Sequence, residues 1–470
     1  MAGSSSGTLE KTMLGAARMV AGFSYPASWE KLQIDANRSV WAAYTPDYQP
    51  TPPLKGETTA DLAIIGGGFT GVSTAYHFSR RFPEKRVVLL EAGALANGAS
   101  GRNGGMMLNW VYGMGDTSDE VTKRIYDNTN RTINTIEQII AEHKLDVSYR
   151  RDGAMSVFTK AESAEAGQAE AEQLQKLGIP IQYLTATEVR ERIGLNNIYG
   201  GHIDMNEGQL NGAQYIRALR PVLLNQGVAI YENTPVLKVQ EGSTVTLTTP
   251  NGAVRAKAII LALNGYTGKL GYFRKAYFPL HSHVFATAPV DDATAAAMGW
   301  QATAGFADDL DRLAYATRTR EGHLVFGGGT NSSYGYLFGN KTAFPGTPGS
   351  ARQGFADMQA VLNGYLPETA KLSISHRWTG TLAISLRRNC SMGVRGDQRN
   401  VYYALGYSGH GVTAANMAGE VLTDLYSDNV ERWRGLPFIE AGFDPIPLEP
   451  FRWLGYQMFT RLIGRSPRTG

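Results

Sequence analysis

The sequence predicts an α/β chain, α+β overall, in which a unit built on a βαβ turn is interrupted by a second unit built on an antiparallel sheet. Three observations carry that expectation. The apolar run "DLAII" enters the glycine turn "GGGFTG", continues as a helical pattern, and returns as the strand "VVLL". From 228 to 262, short β-like runs alternate with turn pairs such as Glu-Gly and Pro-Asn-Gly. Far along the chain, a last strand pattern at 400–405 feeds "GYSGHGVTAANMAGE", a second glycine turn that opens a helix.

The elements follow in order. Residues 1–54 read as an N-terminal arm: "MAGSSSG" has the composition of a disordered terminus, and "TPDYQPTPPLKG" is proline-rich and extended. "MLGAARMVAGF" is interrupted by Arg18 and lacks a cleavage site, so it is not read as a signal peptide. Residues 116–145 have helical spacing, with Ile125, Ile133, Ile136, Ile139 and Ile140 on one stripe. A strand is expected at 153–159 and a helix at 161–177, stopped by Gly178 and Pro180. "HSHVFATAP" and "GHLVFGGGT" continue the strand content, 335–350 reads as a Gly/Pro/Asn loop, and "ARQGFADMQAVLNGYLP" as a helix. Two last strands are expected around 374–386 and 400–405. Near the C-terminus, Phe451, Leu454, Met458, Phe459, Leu462 and Ile463 fall near one helical face, with Arg452, Arg461 and Arg465 among or beside them. That pattern fits a terminal helix docked on the body, or one lying on a membrane surface.

Composition narrows the function classes. With 45 basic and 42 acidic residues in 470, the net charge of +3 gives no footprint for nucleic acid. A single cysteine, Cys390, excludes intramolecular disulfides and thiolate-rich zinc sites, and fits a reducing, cytoplasmic setting. No apolar run approaches the ~18 residues of a membrane span. Neither a Ser-His-Asp set nor a metal-ligand set stands out, so no metal is expected.

The glycines carry the chemistry. Gly66, Gly68 and Gly71, with Phe69 and Thr70 between them, fit G-x-G-x-x-G between a strand and a helix. Glu91 ends the next strand 20 residues beyond Gly71, the place of an acid that accepts ribose hydroxyls. An ADP-containing dinucleotide is expected here, with its diphosphate at the helix N-terminus. The motif itself does not separate NAD from FAD. Directly after Glu91 comes a second glycine-rich loop, "AGALANGASGRNGGMM", running from Ala92 to Met107. Ala92, Ala99, Ser100 and Arg102 lie in it, followed by Asn103, Gly104, Gly105 and Met106; a flavin, longer than NAD, has use for such extra backbone donors. Val236 in "NTPVLKV" and Gly265 in "ALNGYTG" add weaker signals of backbone passing beside a dinucleotide.

Together "DLAIIGGGFTG…VVLLEAG", "GASGRNGG", "GHLVFGGGT", "HRWTGTLAISL" and "VYYALGYSGHGVTAANMAGEVLTDL" resemble the D-amino-acid-oxidase superfamily of FAD-dependent oxidoreductases. The branch resembled most is that of γ-glutamylputrescine oxidases and bacterial L-amino-acid oxidases, from about residue 40 onward. The resemblance implies a Rossmann-like FAD-binding domain (55–115, 200–270, 375–430), an inserted antiparallel-sheet substrate-binding domain (116–199, 271–374) and a C-terminal extension (431–470). It places Gly409, His410, Gly411, Val412 and Thr413 beside the flavin ring, and Trp378 and Gly380 next to it.

The implied chemistry is hydride transfer from an amine-bearing carbon to flavin N5. The resulting imine hydrolyses to an oxo product and ammonia, and the flavin is reoxidised by O2, giving H2O2, or by a quinone. An L-amino acid is the favoured substrate, with a γ-glutamylputrescine-type amine, or a membrane-associated dehydrogenase passing electrons to quinone, as alternatives. Relatives place a carboxylate-binding arginine where this chain has Leu382, so Arg388, Arg387, Arg102 and Arg318 are the substitutes to test. Tyr315 and Tyr407 are candidate pocket hydroxyls, and His281, with His283, falls on a strand that lines the pocket in relatives. Relatives that tether their flavin use a cysteine near the position of Ile384, so the FAD is expected to be non-covalent.

Overall fold

A computed structural model describes residues 38–111, 117–300, 303–337 and 352–463. The expectations for residues 1–37, most of the 335–350 loop and Arg465 lie outside the described residues.

The first sheet is built on β1 (Gly56–Ile65), β2 (Val87–Leu90), β3 (Ala229–Tyr231) and β4 (Gly252–Leu261), joined by a later strand, Val401–Leu405. The helix α1 (Phe69–Arg81) connects β1 to β2. All five strands are parallel, and the Val401–Leu405 strand lies beside β4, followed by β1, β2 and β3. Strands covered on both faces read as unbroken apolar runs, which is why "VVLL" is buried at every position. Antiparallel strands Val245–Thr249 and Ser391–Arg395 widen this sheet.

The second sheet runs through Tyr334–Tyr336, β5 (Phe278–Thr287), Leu324–Gly328, Ala314–Arg318, Gly305–Asp308, Ala154–Phe158, Gly200–Asp204 and Gln182–Thr185. β6 (Ile374–Ile384) pairs along β5 from Ile384 opposite Phe278 to Ile374 opposite Thr287. Every pairing is antiparallel except that of Gly305–Asp308 with Ala154–Phe158. Sequence placed the starts of two dinucleotide-unit segments at 200 and 375, yet Gly200–Asp204 and β6 belong to the second sheet. Strand patterns give no sign of their partners, so pairing alone moves these segments. The last strand of the first sheet, β7 (Val401–Leu405), leads directly into a long buried helix, Val412–Tyr426.

The helices are set by their caps and stripes. α2 (Asp119–Glu142) starts at Ser118, whose side chain accepts from the Val121 N–H, and it buries Ile125, Ile133, Ile136 and Ile139. α3 (Arg352–Tyr365) follows the second sheet, and α4 (Val412–Tyr426) packs on α1, where Ser73 Oγ donates to Asn416 O at 2.6 Å. Residues 38–54 are more than an extended arm: they begin with a short helix, Val40–Ala43, whose Trp41 is buried.

The C-terminal helix α5 (Phe451–Ile463) docks through Arg452 and Trp453, both buried. Arg452 pairs with Glu449 at 2.9 Å and donates to the Arg274 carbonyl. The apolar face expected to pack inward instead leaves Phe451, Leu454 and Met458 exposed by 63%, 37% and 57%. A buried arginine must keep its charge partner, and Glu449 fixes which face turns inward. No described helix is long and apolar enough to cross a membrane.

Candidate active site

A cavity of about 660 Å3 runs along the carboxyl ends of the parallel strands, the edge where open α/β sheets bind ligands. Each strand end supplies part of its wall. β1 delivers Gly66 to Thr70, β2 delivers Glu91 to Gly93, and β3 delivers Thr234 to Val236. β4 delivers Ala262 to Asn264, and β7 delivers Tyr407 to Thr413. Only β4 lies between β1 and β7. Two strand spacings are roughly 10 Å, so the two glycine turns, remote in sequence, open on one cavity.

The first turn is shaped by steric necessity. Gly66 has φ +112°, and a Cβ there would run into the Ala262 carbonyl. Gly71 does not line the cavity: a Cβ on it would strike the Gly66 carbonyl, so it is the close-packing glycine between helix and strand. The N-cap of α1 is Gly68, which offers no side-chain cap, and the Phe69 N–H donates to Ser100 Oγ at 2.9 Å. Glu91 accepts from the Gly67 N–H at 2.7 Å and the Gly93 N–H at 2.8 Å, while burial pushes its carboxyl above the usual range. A carboxylate has about four acceptor positions, so these bonds leave acceptor capacity for a ribose hydroxyl.

The second turn repeats the design. Ser408 and Gly409 have φ of +50° and +96°, and α4 is N-capped by Gly411 with no side-chain cap. Its first N–H groups therefore border the cavity without a side-chain acceptor. The Thr413 hydroxyl, on a residue 2% exposed, borders the cavity with no hydrogen-bond partner among the described residues. Tyr407 Oη and Thr70 Oγ1, 2.7 Å apart and buried, tie the two turns together.

Between the turns lies the loop that follows Glu91, lining the cavity with Ala92, Ala99, Ser100, Arg102 and Asn103 through Met106. Arg102 is committed to this loop: its guanidinium donates to Asn97 O at 2.8 Å and Thr379 O at 3.0 Å. Gly380 faces Arg102 closely, with a Cβ there 3.3 Å from the Arg102 Cβ. Trp378, fully buried, does not reach the cavity; its indole N–H donates to the Arg102 carbonyl at 3.0 Å and supports the loop from behind. Gly265 is likewise set back, packed against Thr381 and Leu382.

The far end of the cavity is walled by the second sheet. Leu280, Ser282 and Val284 of β5 face it, with Leu382 and Ile384 of β6. Strand alternation turns His281 and His283 to the opposite face, where His283 stacks on Phe355 of α3. Their shared face was legible in the spacing, but it is the one directed away from the cavity. Burial lowers His281 to about 4 and His283 well below the ordinary value, so both are neutral.

Tyr315 does line the cavity, its ring 2.5 Å from where a Cβ on Gly104 would stand. Of the candidate arginines, Arg388 lines the cavity, as does Arg102, whose guanidinium is bonded to Asn97 O and Thr379 O. Arg387 is exposed and paired with Asp444 at 2.6 Å, and Arg318 is paired with Asp292 at 2.6 Å. Cys390 is buried outside the cavity lining, and burial pushes its thiol up to about 12. Among the described residues no group of three or more His, Cys, Asp or Glu side chains is arranged to hold a metal.

Several lining residues were not singled out from sequence. Tyr266 and Lys269 sit on the 3-10 turn Asn264–Leu270, Arg312 on a turn and Tyr334 at the start of the short strand Tyr334–Tyr336, where neither spacing nor motif marks them. Arg312 stacks over the Tyr334 ring at 5.5 Å and donates to Asn331 at 2.6 Å.

Comparison with known proteins identifies the fold's lineage. The model of the family described as FAD dependent oxidoreductase (DAO) matches residues 61–425. The chain belongs to this family. It is an FAD-dependent oxidoreductase. A gamma-glutamylputrescine oxidoreductase of Escherichia coli (strain K12) is 26% identical over 409 residues, spanning 84% of this chain and 90% of that protein. A probable oxidoreductase OrdL of Rhizobium meliloti (strain 1021) is also 26% identical, over 85% of this chain and 90% of its own length. The solved structure of glycine oxidase from Geobacillus kaustophilus superposes with a TM-score of 0.66 at 19% identity, covering 84% of this chain and 98% of that one.

The residues present fit FAD. Two helix N-termini without side-chain caps favour the diphosphate at one end and electron density on the ring at the other. Glu91 retains an acceptor for ribose, and the Thr413 hydroxyl on the cavity wall is free to meet a polar group of a ligand. The volume falls within the roughly 300–1,000 Å3 of cofactor and ligand sites.

Proposed function

We propose that this FAD-dependent oxidoreductase oxidises the C–N bond of an amino acid, an L-amino acid above others, and reduces O2 to H2O2. The observation that carries the reading is Arg388, placed with Tyr315 in the same cavity as the second glycine turn. Bound FAD supplies the two-electron acceptor for converting the amine to an imine, which water turns into an oxo product and ammonia. Arg388 offers a carboxylate the charge-assisted contact that Leu382 cannot. Tyr315 and Tyr334, both raised by burial, stay protonated and offer hydroxyl donors at the same end. Leu280, Leu382 and Ile384 form an apolar wall that limits water around the reacting carbon.

The FAD is held without a covalent bond. Ile384 stands in the wall, and Cys390, neutral and outside it, has no access to the cofactor. Acid precipitation releases the yellow chromophore under this reading; colour that stays with the denatured polypeptide refutes it. The alternative substrate is an aliphatic amine of the γ-glutamylputrescine type, favoured by Leu382 at the position of the relatives' clamp. A cytoplasmic location, with membrane contact through the exposed stripe of α5, accompanies the reading in which a quinone is the acceptor.

A peroxide-coupled screen of L- and D-amino acids, sarcosine, putrescine and γ-glutamylputrescine tests the proposal. Peroxide with L-amino acids supports it. Peroxide with the amines alone moves the assignment to the alternative, and dye reduction without peroxide makes the protein a dehydrogenase.

A further inference from the structure

Five consecutive carbonyls in the loop beside the cavity, from Gly101 to Gly105, are each held by a donor from elsewhere in the chain. Ser39 Oγ donates to Gly101 O at 2.5 Å, and the Trp378 indole N–H to Arg102 O at 3.0 Å. The Trp41 indole N–H donates to Asn103 O at 2.6 Å, and Thr317 Oγ1 to Gly104 O at 2.8 Å. The Leu210 N–H donates to Gly105 O at 2.8 Å. Two of these five donors come from residues 39–41, which precede the family-matched region 61–425.

Trp41 does more than donate one bond. It is 1% exposed, and its ring lies 2.9 Å from where a Cβ on Gly105 would stand. Gly105 has φ +82°, a conformation that a bulkier residue resists and that the indole presses against from outside. The Trp41 carbonyl accepts from Asn211 Nδ2 at 3.3 Å, and the Asn211 side chain also caps the helix Gly212–Asn225. The indole is thus fixed from behind by a rigid element. Inside the loop, Asn103 Oδ1 accepts from the Gly105 N–H at 2.7 Å, and its amide donates to Ser100 O at 3.0 Å. A trans peptide points its C=O and the following N–H in opposite directions. Holding the Asn103 carbonyl against Trp41 therefore sets the direction in which Gly104, a lining residue, presents its N–H.

We propose that Trp41 is a positioning residue for FAD: an N-terminal segment that precedes residues 61–425 sets the shape of the loop that faces the cofactor. The inference rests on assigning the cavity to FAD. Ser39 assists from the same short helix, and the removal of either donor leaves a buried carbonyl without its partner.

The test uses the full chain with the variants Trp41→Phe, which keeps a ring against Gly105 but lacks the N–H, and Trp41→Ala. FAD affinity is read from the quenching of flavin fluorescence on titration with apoprotein, alongside melting of the apo and FAD-loaded forms. Losing one buried hydrogen bond predicts FAD binding about tenfold weaker in Trp41→Phe at an apo melting temperature close to wild type, and weaker still in Trp41→Ala. The FAD-induced rise in melting temperature shrinks in the same order. A Trp41→Phe protein that binds FAD within twofold of wild type overturns the inference. So does one whose apo form melts lower while its FAD-induced rise is unchanged, because the role is then structural only. Wild-type chain that takes up no FAD refutes the assignment of the cavity itself, a result distinct from either.

Discussion

Replacing Glu91 by Gln isolates the acid that organises the dinucleotide end of the cavity. Its carboxylate accepts two backbone N–H groups, from Gly67 at 2.7 Å and Gly93 at 2.8 Å. A glutamine offers one carbonyl oxygen and one NH2, so either the Gly67 or the Gly93 N–H then faces a donor instead of an acceptor. A hydrogen bond to a charged group contributes about 1.5–3 kcal/mol, and about 1.4 kcal/mol is a factor of ten. Because the Gly67 peptide belongs to the turn that receives the diphosphate, loss of one such bond predicts FAD binding roughly 10- to 150-fold weaker in Glu91→Gln. Fluorescence titration of apoprotein with FAD measures it, with circular dichroism confirming that the variant is folded. FAD affinity within twofold of wild type refutes the claim that Glu91 shapes the cofactor site.

Three further outcomes follow from the same geometry. Arg388→Leu removes a charge-assisted contact, so kcat/KM for amino acids falls roughly 10- to 150-fold while that for amines without a carboxylate stays near wild type; an equal loss on both classes rejects the clamp. Gly71→Ala pushes a methyl group into the Gly66 carbonyl, so the chain loses about 1–3 kcal/mol of stability together with FAD binding, measured by denaturant unfolding and flavin titration. His281 titrates near 4 in the native state against about 6.5 unfolded, and His283 is lowered further in the same direction. Below pH 6.5 the unfolded chain takes up protons that the native state refuses. The stability that these residues leave intact above that pH is therefore lost as pH falls, by about 2 kcal/mol for His281 at pH 5, with a loss of the same sign from His283. The double variant His281→Asn, His283→Asn flattens the fall in unfolding midpoint between pH 7 and 5; an unchanged slope contradicts their buried neutrality.

Much of the cofactor half of the site was legible because its constraints are local. Gly66 to Gly71 and Glu91 announce themselves through a turn, a helix start and a fixed spacing, each a consequence of backbone sterics within about twenty-five residues. Gly409 to Thr413 were legible for the same reason, and strand order then explains why they meet the first turn. What depends on pairing was not legible. Whether Ile374–Ile384 joins one sheet or the other is decided by Phe278–Thr287, a hundred residues away. The side of β5 that His281 takes depends on which face meets the cavity, and a period of two cannot supply that. Trp378 was expected next to the flavin from its motif, yet it lies behind the Arg102 loop, off the cavity wall, and its hydrogen bond to the Arg102 carbonyl makes it a support. Trp41 gave no signal at all, because a carbonyl held by an indole leaves no pattern in the sequence.

The central claim is that one FAD lies across both glycine turns with an amino acid at the Arg388 end. Anaerobic mixing of FAD-loaded protein with L-amino acids tests it most directly, with the visible flavin absorbance and released ammonia followed together. Bleaching of the flavin with one ammonia released per flavin reduced is the expected result. Absorbance that stays unchanged with every amino acid and amine tried, in protein that retains its FAD, contradicts it.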